Sequence, residues 1–198
     1  RLGSALGSLD IDSGSDTYAP PYGDNTVMGT ISWSKPASTS RIYRAGFSDQ
    51  NFGVQGGRYV APAKTEVVMG LLDDGATNNG SLLFDEGGIA DTFTAPDINV
   101  RIRVGGSVVR PLVNLRGTTL AITASNGKFS GRFVLVDTNP AAPGTNVSRT
   151  VIYQGLLIHD AAGWRGAGYF LLPKLPAVGT LEKSTTTDIL SGRARLLP

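Results

Sequence analysis

Two adjacent acidic residues, Asp85 and Glu86, end a predicted strand in the stretch LFDEGG and are the pair best suited to chemistry. Glycoside hydrolysis needs two carboxylates beside a cleft, one as acid and one as base or nucleophile. Beside glycines, the same residue types also serve in turns, or contact a metal ion or a sugar. We interpret the pair as turn residues with a secondary role in ligand binding, and we do not predict catalysis from them.

Nucleophilic catalysis by serine would have to use His159, which is the only histidine of the chain. The sequence contains no Gly-x-Ser-x-Gly motif and no cysteine, so neither a nucleophile elbow nor a thiol nucleophile is present. His159 stands beside Asp160 at the end of a predicted strand, as residues of a surface turn do. We therefore predict that the protein is not an enzyme.

Three acidic residues, Asp10, Asp12 and Asp16, alternate with serines in the stretch DIDSGSD near the start of the chain. Calcium binds six to eight hard oxygen ligands, often from one flexible loop. The run lacks the spacing of an EF-hand loop. A solvated segment is the first interpretation and a calcium site at these three residues is the alternative; no other cofactor is expected.

Aromatic side chains are the candidates for contact with a sugar. Trp164 lies in the glycine-rich turn AAGWRGAG, and Tyr169 is on the predicted strand that follows, at 167–172. An indole or phenol ring has an apolar face and a polar edge, which suits it to interfaces. We predict that these two residues contribute to a ligand site, although for Trp164 closure of the open end of the barrel is the first interpretation and ligand contact the second.

The elements that must position these residues are strands joined by tight turns. Glycine accounts for 26 of 198 residues, and only 17% of residues are charged. Apolar and polar residues alternate in DINVRIRV and in KFSGRFVLV, whereas no window shows the apolar period of an amphipathic helix. Asn126-Gly127 is a strong hairpin signal between GTTLAIT and KFSGRFVLV. The sequence predicts an all-β fold of about twelve strands.

Glycines inside several predicted strands favour a curved sheet, because glycine in a strand marks a bend or a close approach. We therefore predict a predominantly antiparallel barrel, with a two-sheet β-sandwich as the alternative. Residues 1–25 are rich in turn formers and are expected to form an N-terminal arm or loop. Residues 26–198 are expected to form a single barrel-like domain.

The two halves of the chain share an order of residues that predicts an internal duplication. Each half has a glycine-containing strand, a prolyl turn, a Ser-Arg pair, a tyrosine, a glycine, and then a second glycine and tyrosine close together, followed by a proline. If the halves are duplicates, Tyr43 should occupy a place equivalent to Tyr153, and Tyr59 a place equivalent to Tyr169. Gly155 should then lie where the sheet bends or where a ring covers the backbone.

The stretches GKFSGRFVLVD, RTVIYQGLLI and GAGYFLLPKLP carry a resemblance to a known kind of module. They resemble a repeated module of large secreted or surface proteins of environmental bacteria, especially verrucomicrobial ones. The resemblance covers roughly residues 28–173. It implies an accessory or anchoring domain of an exported multi-domain protein, and it lends no catalytic residues.

These observations favour a non-catalytic structural or adhesive module, with a carbohydrate-binding module as the alternative. We expect an extracellular or cell-surface location, and partners among other domains of the same polypeptide, cell-surface components or glycans. The balance of 18 basic and 16 acidic residues gives no general attraction to nucleic acid. No apolar run approaches the roughly 20 residues of a membrane helix, so no membrane span is expected.

Overall fold

The fold is all-β, with antiparallel strands in two sheets. The computed structural model describes residues 4–11, 27–57, 59–89, 96–160 and 163–198. Within these ranges there are eleven strands: β1 (Ser4–Ile11), β2 (Val27–Lys35), β3 (Phe47–Gly56), β4 (Gly80–Glu86), β5 (Ile98–Ile102), β6 (Val108–Val109), β7 (Ala121–Thr123), β8 (Lys128–Thr138), β9 (Asn146–Asp160), β10 (Gly163–Pro173) and β11 (Ile189–Leu197). Short 3₁₀ turns lie at Val68–Gly70 and Val104–Gly106.

The larger sheet has eight strands in the order β6-β5-β4-β11-β10-β9-β8-β7 and curves into a nearly closed barrel. Its two ends approach each other beside the Val104–Gly106 turn. A Cβ atom built on Gly106 would lie 3.0 Å from the carbonyl oxygen of Ile122 on β7. The predicted barrel-like antiparallel fold is therefore confirmed in its coarse form.

The core lies inside this curved sheet. The ring of Phe84 on β4 contacts Phe133 on β8, Tyr153 on β9 and Phe170 on β10, with centroid distances of 4.6, 4.9 and 5.9 Å. Strands on different sides of the sheet thus meet through one aromatic cluster. The described side chains of β2 and β3 contribute none of the apolar residues of this core.

Three inward-facing glycines of the larger sheet lie opposite aromatic residues. In the strand register Gly155 is paired with Phe129, Gly131 with Tyr153, and Gly192 with Phe170. In each pair, a Cβ atom added to the glycine would come closer than 3.0 Å to the partner ring. The expectation that a ring covers the backbone of Gly155 is confirmed.

Tyr153 is the largest fully buried side chain described, and its hydroxyl is not left unpaired. The hydroxyl donates a hydrogen bond to the carbonyl oxygen of Thr119, in the segment before β7. Burial raises the pKa of Tyr153 above its ordinary value of 10.0. The phenol therefore stays neutral, and it ties β9 to the segment that precedes β7.

The smaller sheet, β1-β2-β3, packs beside the barrel through its loops. Arg41 donates hydrogen bonds from Nε to the carbonyl oxygen of Thr187 at 2.7 Å and from Nη2 to that of Ser184 at 2.6 Å. Nearby, Arg44 forms an ion pair with Asp188 at 3.4 Å. These contacts fix the loop between β2 and β3 on the segment that precedes β11.

The start of the chain differs from the expectation for residues 1–25. Ser4–Ile11 forms β1 and pairs with β2 over its whole length, whereas the sequence of this region was expected to form an arm or loop. The residues of this strand show no clear alternation of apolar and polar side chains. The strand is defined by its pairing with β2, which the sequence alone does not reveal. Residues 12–25 lie outside the described residues.

The sequence also predicts strands at 40–47, 57–61 and 66–72, and these three predictions are wrong. Tyr43 and Gly46 have positive φ values of 48° and 73°, so a turn occupies most of the first segment. Met69 and Gly70 both have φ of 62°, and they interrupt the third segment with a 3₁₀ turn. The second segment follows the end of β3 at Gly56 and contains no strand among its described residues.

The predicted duplication is not confirmed. Tyr43 lies in a turn, whereas Tyr153 is fully buried in the middle of β9. Tyr59 packs against the core, whereas Tyr169 is 47% exposed on the outer surface of β10. The equivalent places expected for these two pairs are therefore not found.

Candidate binding face

Three of the four residues predicted for a ligand site, Asp85, Glu86 and Tyr169, lie around Arg193. In the register of the sheet, Arg193 on β11 is opposite Asp85 on β4 and also opposite Tyr169 on β10. Side chains alternate between the two faces of a strand, and these three point away from the core. Glu86 is the last residue of β4.

Ion pairs fix the acidic residues in this group. Arg193 Nε donates to Asp85 Oδ1 at 2.8 Å, and Arg193 Nη2 lies 3.2 Å from Glu86 Oε1. The other oxygen of Asp85 lies 2.6 Å from Nη2 of Arg195. The hydrogen bond and charge of Asp85, followed by the charge of Glu86, raise the pKa of Arg193.

The same row of outward side chains continues across the sheet. Gln154 on β9 is opposite Tyr169, and its Nε2 donates to the Tyr169 hydroxyl at 2.6 Å. Ser130 on β8 is opposite Gln154, and Ala121 on β7 is opposite Ser130. We call this sequence of paired positions the Tyr169 row: Asp85, Arg193, Tyr169, Gln154, Ser130 and Ala121.

A neighbouring row has the same direction and a different chemistry. It is formed by Leu83, Arg195, Ala167, Leu156, Lys128 and Thr123, each opposite the next in the register. A groove of about 540 Å³ lies over both rows between β7 and β10. Its floor includes the backbone of Gly155 and Gly168, which are directly opposite each other.

The groove combines an exposed ring with several groups that form hydrogen bonds. Tyr169 and Leu156 are 47% and 51% exposed, and they supply the apolar surface. Gln154, Ser130 and Lys128 supply donors and acceptors at its sides. Such a mixture can stack against the apolar face of a ligand ring while polar groups bind its hydroxyls.

Trp164, the fourth predicted residue, lies elsewhere. It is opposite His159 in the hairpin of β9 and β10, five residues before Tyr169, and alternation directs the two side chains to opposite faces of β10. Its ring packs edge-on against His159 at 4.8 Å and Tyr59 at 5.9 Å. One small ligand therefore does not contact both Trp164 and Tyr169.

Trp164 lines a separate groove of about 430 Å³. The groove is bounded by the segments Val60–Pro62 and Thr65–Val67, by Met69–Asp73, and by Val104. Trp164 is half-buried and packs against the hydrophobic core. This position fits the first interpretation of Trp164, closure of one end of the barrel.

The acidic residues proposed for calcium are largely beyond the described part of the chain. Asp10 is in β1, opposite Met28. Asp12 and Asp16 lie outside the described residues. In the described residues, no group of three or more His, Cys, Asp or Glu side chains is placed to hold a metal ion.

Most residues of the candidate face were not predicted from the sequence, among them Arg193 and Gln154. Alternation within ILSGRARLL places Arg193 and Arg195 on one face of a strand, which was the available signal for Arg193. Nothing in the local sequence indicates Gln154, because its role depends on the residue opposite it in the sheet. Only the register of β9 against β10 brings it to Tyr169.

None of the helices found in the described residues has the length and apolar character that a membrane crossing requires. The chain was also compared with known protein families, with curated proteins and with solved structures. None of the three comparisons found a match.

Proposed function

We propose that this chain is a non-catalytic adhesive module of an exported bacterial multi-domain protein. The observation that carries the proposal is the Tyr169 row, an outward surface of paired side chains spread over six strands. A broad, rigid sheet face suits adhesion, because its side chains are held in place before a partner arrives. The resemblance to modules of secreted and surface proteins supports the same assignment.

The ion pairs of Arg193 support a binding role for Asp85 and Glu86 over a catalytic one. A glycosidase uses one carboxyl group as an acid and a second as a base or nucleophile, and both must reach the substrate. Both carboxylates instead form ion pairs with the guanidinium group of Arg193. Asp85 also contacts Arg195, so its two oxygens are both engaged.

A glycan is the ligand that the groove beside Tyr169 favours. The Tyr169 ring is half-exposed, and its hydroxyl is held by Gln154. A ring fixed in this way can stack on a sugar with little loss of side-chain entropy. The polar groups of Ser130 and Lys128 lie within the same groove and can bind sugar hydroxyls.

A glycan array with three proteins tests this ligand. We expect saturable binding by the wild type and a loss of about tenfold or more in affinity for Tyr169→Ala, as for an aromatic hot spot. Phe52→Ala is the matched control, because Phe52 on β3 is 45% exposed, close to the 47% of Tyr169. It should bind as the wild type does.

Several outcomes contradict the proposal. Absence of binding to every glycan removes the glycan as ligand, and equal losses in both variants remove Tyr169 as its contact. Loss only in Trp164→Ala moves the site to the second groove. Sugar release that is abolished by Glu86→Gln would make the protein a hydrolase.

The proposed location is tested separately by adding protease to intact cells. The full-length protein should be cleaved from outside.

A further inference from the structure

The loop between β6 and β7 exposes three large apolar side chains within four residues. Leu112, Val113 and Leu115 are 106%, 73% and 78% exposed. Single exposed leucines are ordinary, but a contiguous apolar group at a surface marks a place where another surface docks. We call these three residues the apolar tip.

The loop that carries the apolar tip is held in one conformation by hydrogen bonds. Asn114 accepts a hydrogen bond from the Thr118 amide at 2.8 Å and donates one to the Thr118 carbonyl oxygen at 2.7 Å. The Thr118 hydroxyl donates to the carbonyl oxygen of Pro96 at 2.7 Å. The Val134 amide on β8 donates to the carbonyl oxygen of Arg116 at 2.9 Å. The tip is thus presented on a fixed loop.

The segment around the apolar tip is strongly basic. From Ile98 to Val136 the sequence has six basic residues and no acidic one: Arg101, Arg103, Arg110, Arg116, Lys128 and Arg132. Asp73 forms ion pairs with the first two, at 3.3 and 3.8 Å. Within the described chain, no carboxylate partner is found for Arg110, Lys128 or Arg132. Arg110 is exposed two residues before the tip.

Exposed apolar side chains beside exposed cations match the chemistry of one kind of partner. An anionic lipid surface offers hydrocarbon for the leucines and phosphate groups for the arginines. A nucleic acid or an acidic polysaccharide would satisfy the cations but leave Leu112 and Leu115 in water. Val113 and Leu115 border a groove of about 210 Å³, but Leu112 does not line it, and a lipid surface needs no pocket.

We propose that the loop between β6 and β7 docks on an anionic lipid surface. The apolar tip enters the interface between headgroups and acyl chains, and Arg110 lies among the phosphate groups. The contact is peripheral and reversible, because only three apolar side chains take part. It is independent of glycan binding, since no residue of the Tyr169 row lies in this loop.

Co-sedimentation with vesicles tests the proposal. We expect the protein to bind vesicles of phosphatidylcholine mixed with phosphatidylglycerol, and to bind phosphatidylcholine vesicles much more weakly. Leu112→Asp should lower the partition coefficient about tenfold or more, the effect of withdrawing one buried leucine. Arg110→Glu should lower it several-fold and weaken its dependence on salt.

Leu181→Asp is the matched control. Leu181 is 100% exposed but stands beside Glu182, so the same substitution should leave vesicle binding unchanged. Thermal unfolding of each variant should match the wild type, because none of the changed side chains is buried. Equal losses in Leu112→Asp and Leu181→Asp would overturn the proposal. Binding that survives Leu112→Asp combined with Leu115→Asp would exclude insertion. No binding to mixed vesicles would also overturn the proposal. The partner of the apolar tip would then be a groove on another protein.

Discussion

Substitution of Gly155 by alanine tests how the barrel is packed. A Cβ atom at this position would come closer than 3.0 Å to two carbons of the Phe129 ring and to the carbonyl oxygen of Ala167. Phe129 is 1% exposed and packs within the hydrophobic core, so a shift of its ring disturbs other core contacts. The carbonyl group belongs to β10, which is paired with β9 and is not free to move. Relief therefore requires a shift of side chain and backbone together.

We expect Gly155→Ala to lower the free energy of unfolding by about 1–3 kcal/mol, the range for an overpacked core. In a chain of this size each kcal/mol lowers the melting temperature by about 2–4 °C. The expected decrease is therefore roughly 2–12 °C, measured by circular dichroism. Gly155→Val should cost more, because it adds two further methyl groups at the same place.

Gly53→Ala is the matched control, because Gly53 is also in a strand but has no atom within 4 Å of its Cβ position. It should change stability by no more than about 0.5 kcal/mol. A second comparison uses Phe129→Leu, which removes the ring. Gly155→Ala should cost less in that background, but not zero, since the Ala167 oxygen remains. Equal costs in both backgrounds, or a Gly155→Ala protein as stable as wild type, would refute the packing argument.

Two other predictions concern charged groups. Asp137→Ala should cost about 3–5 kcal/mol in denaturant unfolding, because Asp137 forms a buried ion pair with Arg149 at 2.8 Å and its loss leaves an unpaired buried charge. Asp137→Leu combined with Arg149→Met should cost less than Asp137→Ala, and a larger cost for the double variant would contradict this account. Partial desolvation raises the pKa of Asp97 above 3.8. The folded state therefore binds the proton of Asp97 more tightly than the unfolded state does. The contribution of Asp97 to stability should increase as pH falls from the raised pKa towards 3.8. Asp97→Asn should remove that gain in urea titrations at several pH values, whereas Asp74→Asn should not, because hydrogen bonds led by that from the Thr77 side chain lower the pKa of Asp74 to about 2.

The sequence predicted the central strands well because their signals are local. Alternating residues in β8 and the Asn126-Gly127 turn specify a hairpin within about twenty residues. Gly127 has φ of 70°, and the Asn126 side chain accepts a hydrogen bond from the Lys128 amide at 3.0 Å. Both are features of a tight turn that asparagine and glycine favour. The predicted pairing of this hairpin is confirmed.

The same dipeptide at Asn79-Gly80 also predicts a hairpin turn, between VVMGLL and SLLF, and this prediction is misleading. Gly80 begins β4, and the Asn79 side chain instead bonds to a distant strand. Its Oδ1 accepts from the Ile102 amide at 2.7 Å, and its Nδ2 donates to the Ile102 carbonyl oxygen at 2.8 Å. The partner is 23 residues away, so no local pattern reveals it. Tertiary contact, and not turn propensity, decides the role of this asparagine.

The candidate face could be predicted only in part for the same reason. Asp85, Glu86 and Tyr169 were selected by residue type, and each choice was made without knowledge of the others. Arg193, which joins Asp85 and Glu86 in ion pairs and lies opposite Tyr169, is 24 residues beyond Tyr169 and more than 100 residues beyond Asp85. Trp164 was selected by the same criterion and lies on the opposite face of β10. Residue type therefore identified candidates, but pairing decided which of them meet.

The inner packing and the outer face depend on one register. Phe129 opposite Gly155, Tyr153 opposite Gly131, and Phe170 opposite Gly192 fit only when each ring faces a residue without a side chain. Because side chains alternate, the same register places Tyr169 outside between Arg193 and Gln154. A slip of one residue would turn Phe170 to solvent and Tyr169 into the core. The inward-facing glycines therefore hold the Tyr169 row in place.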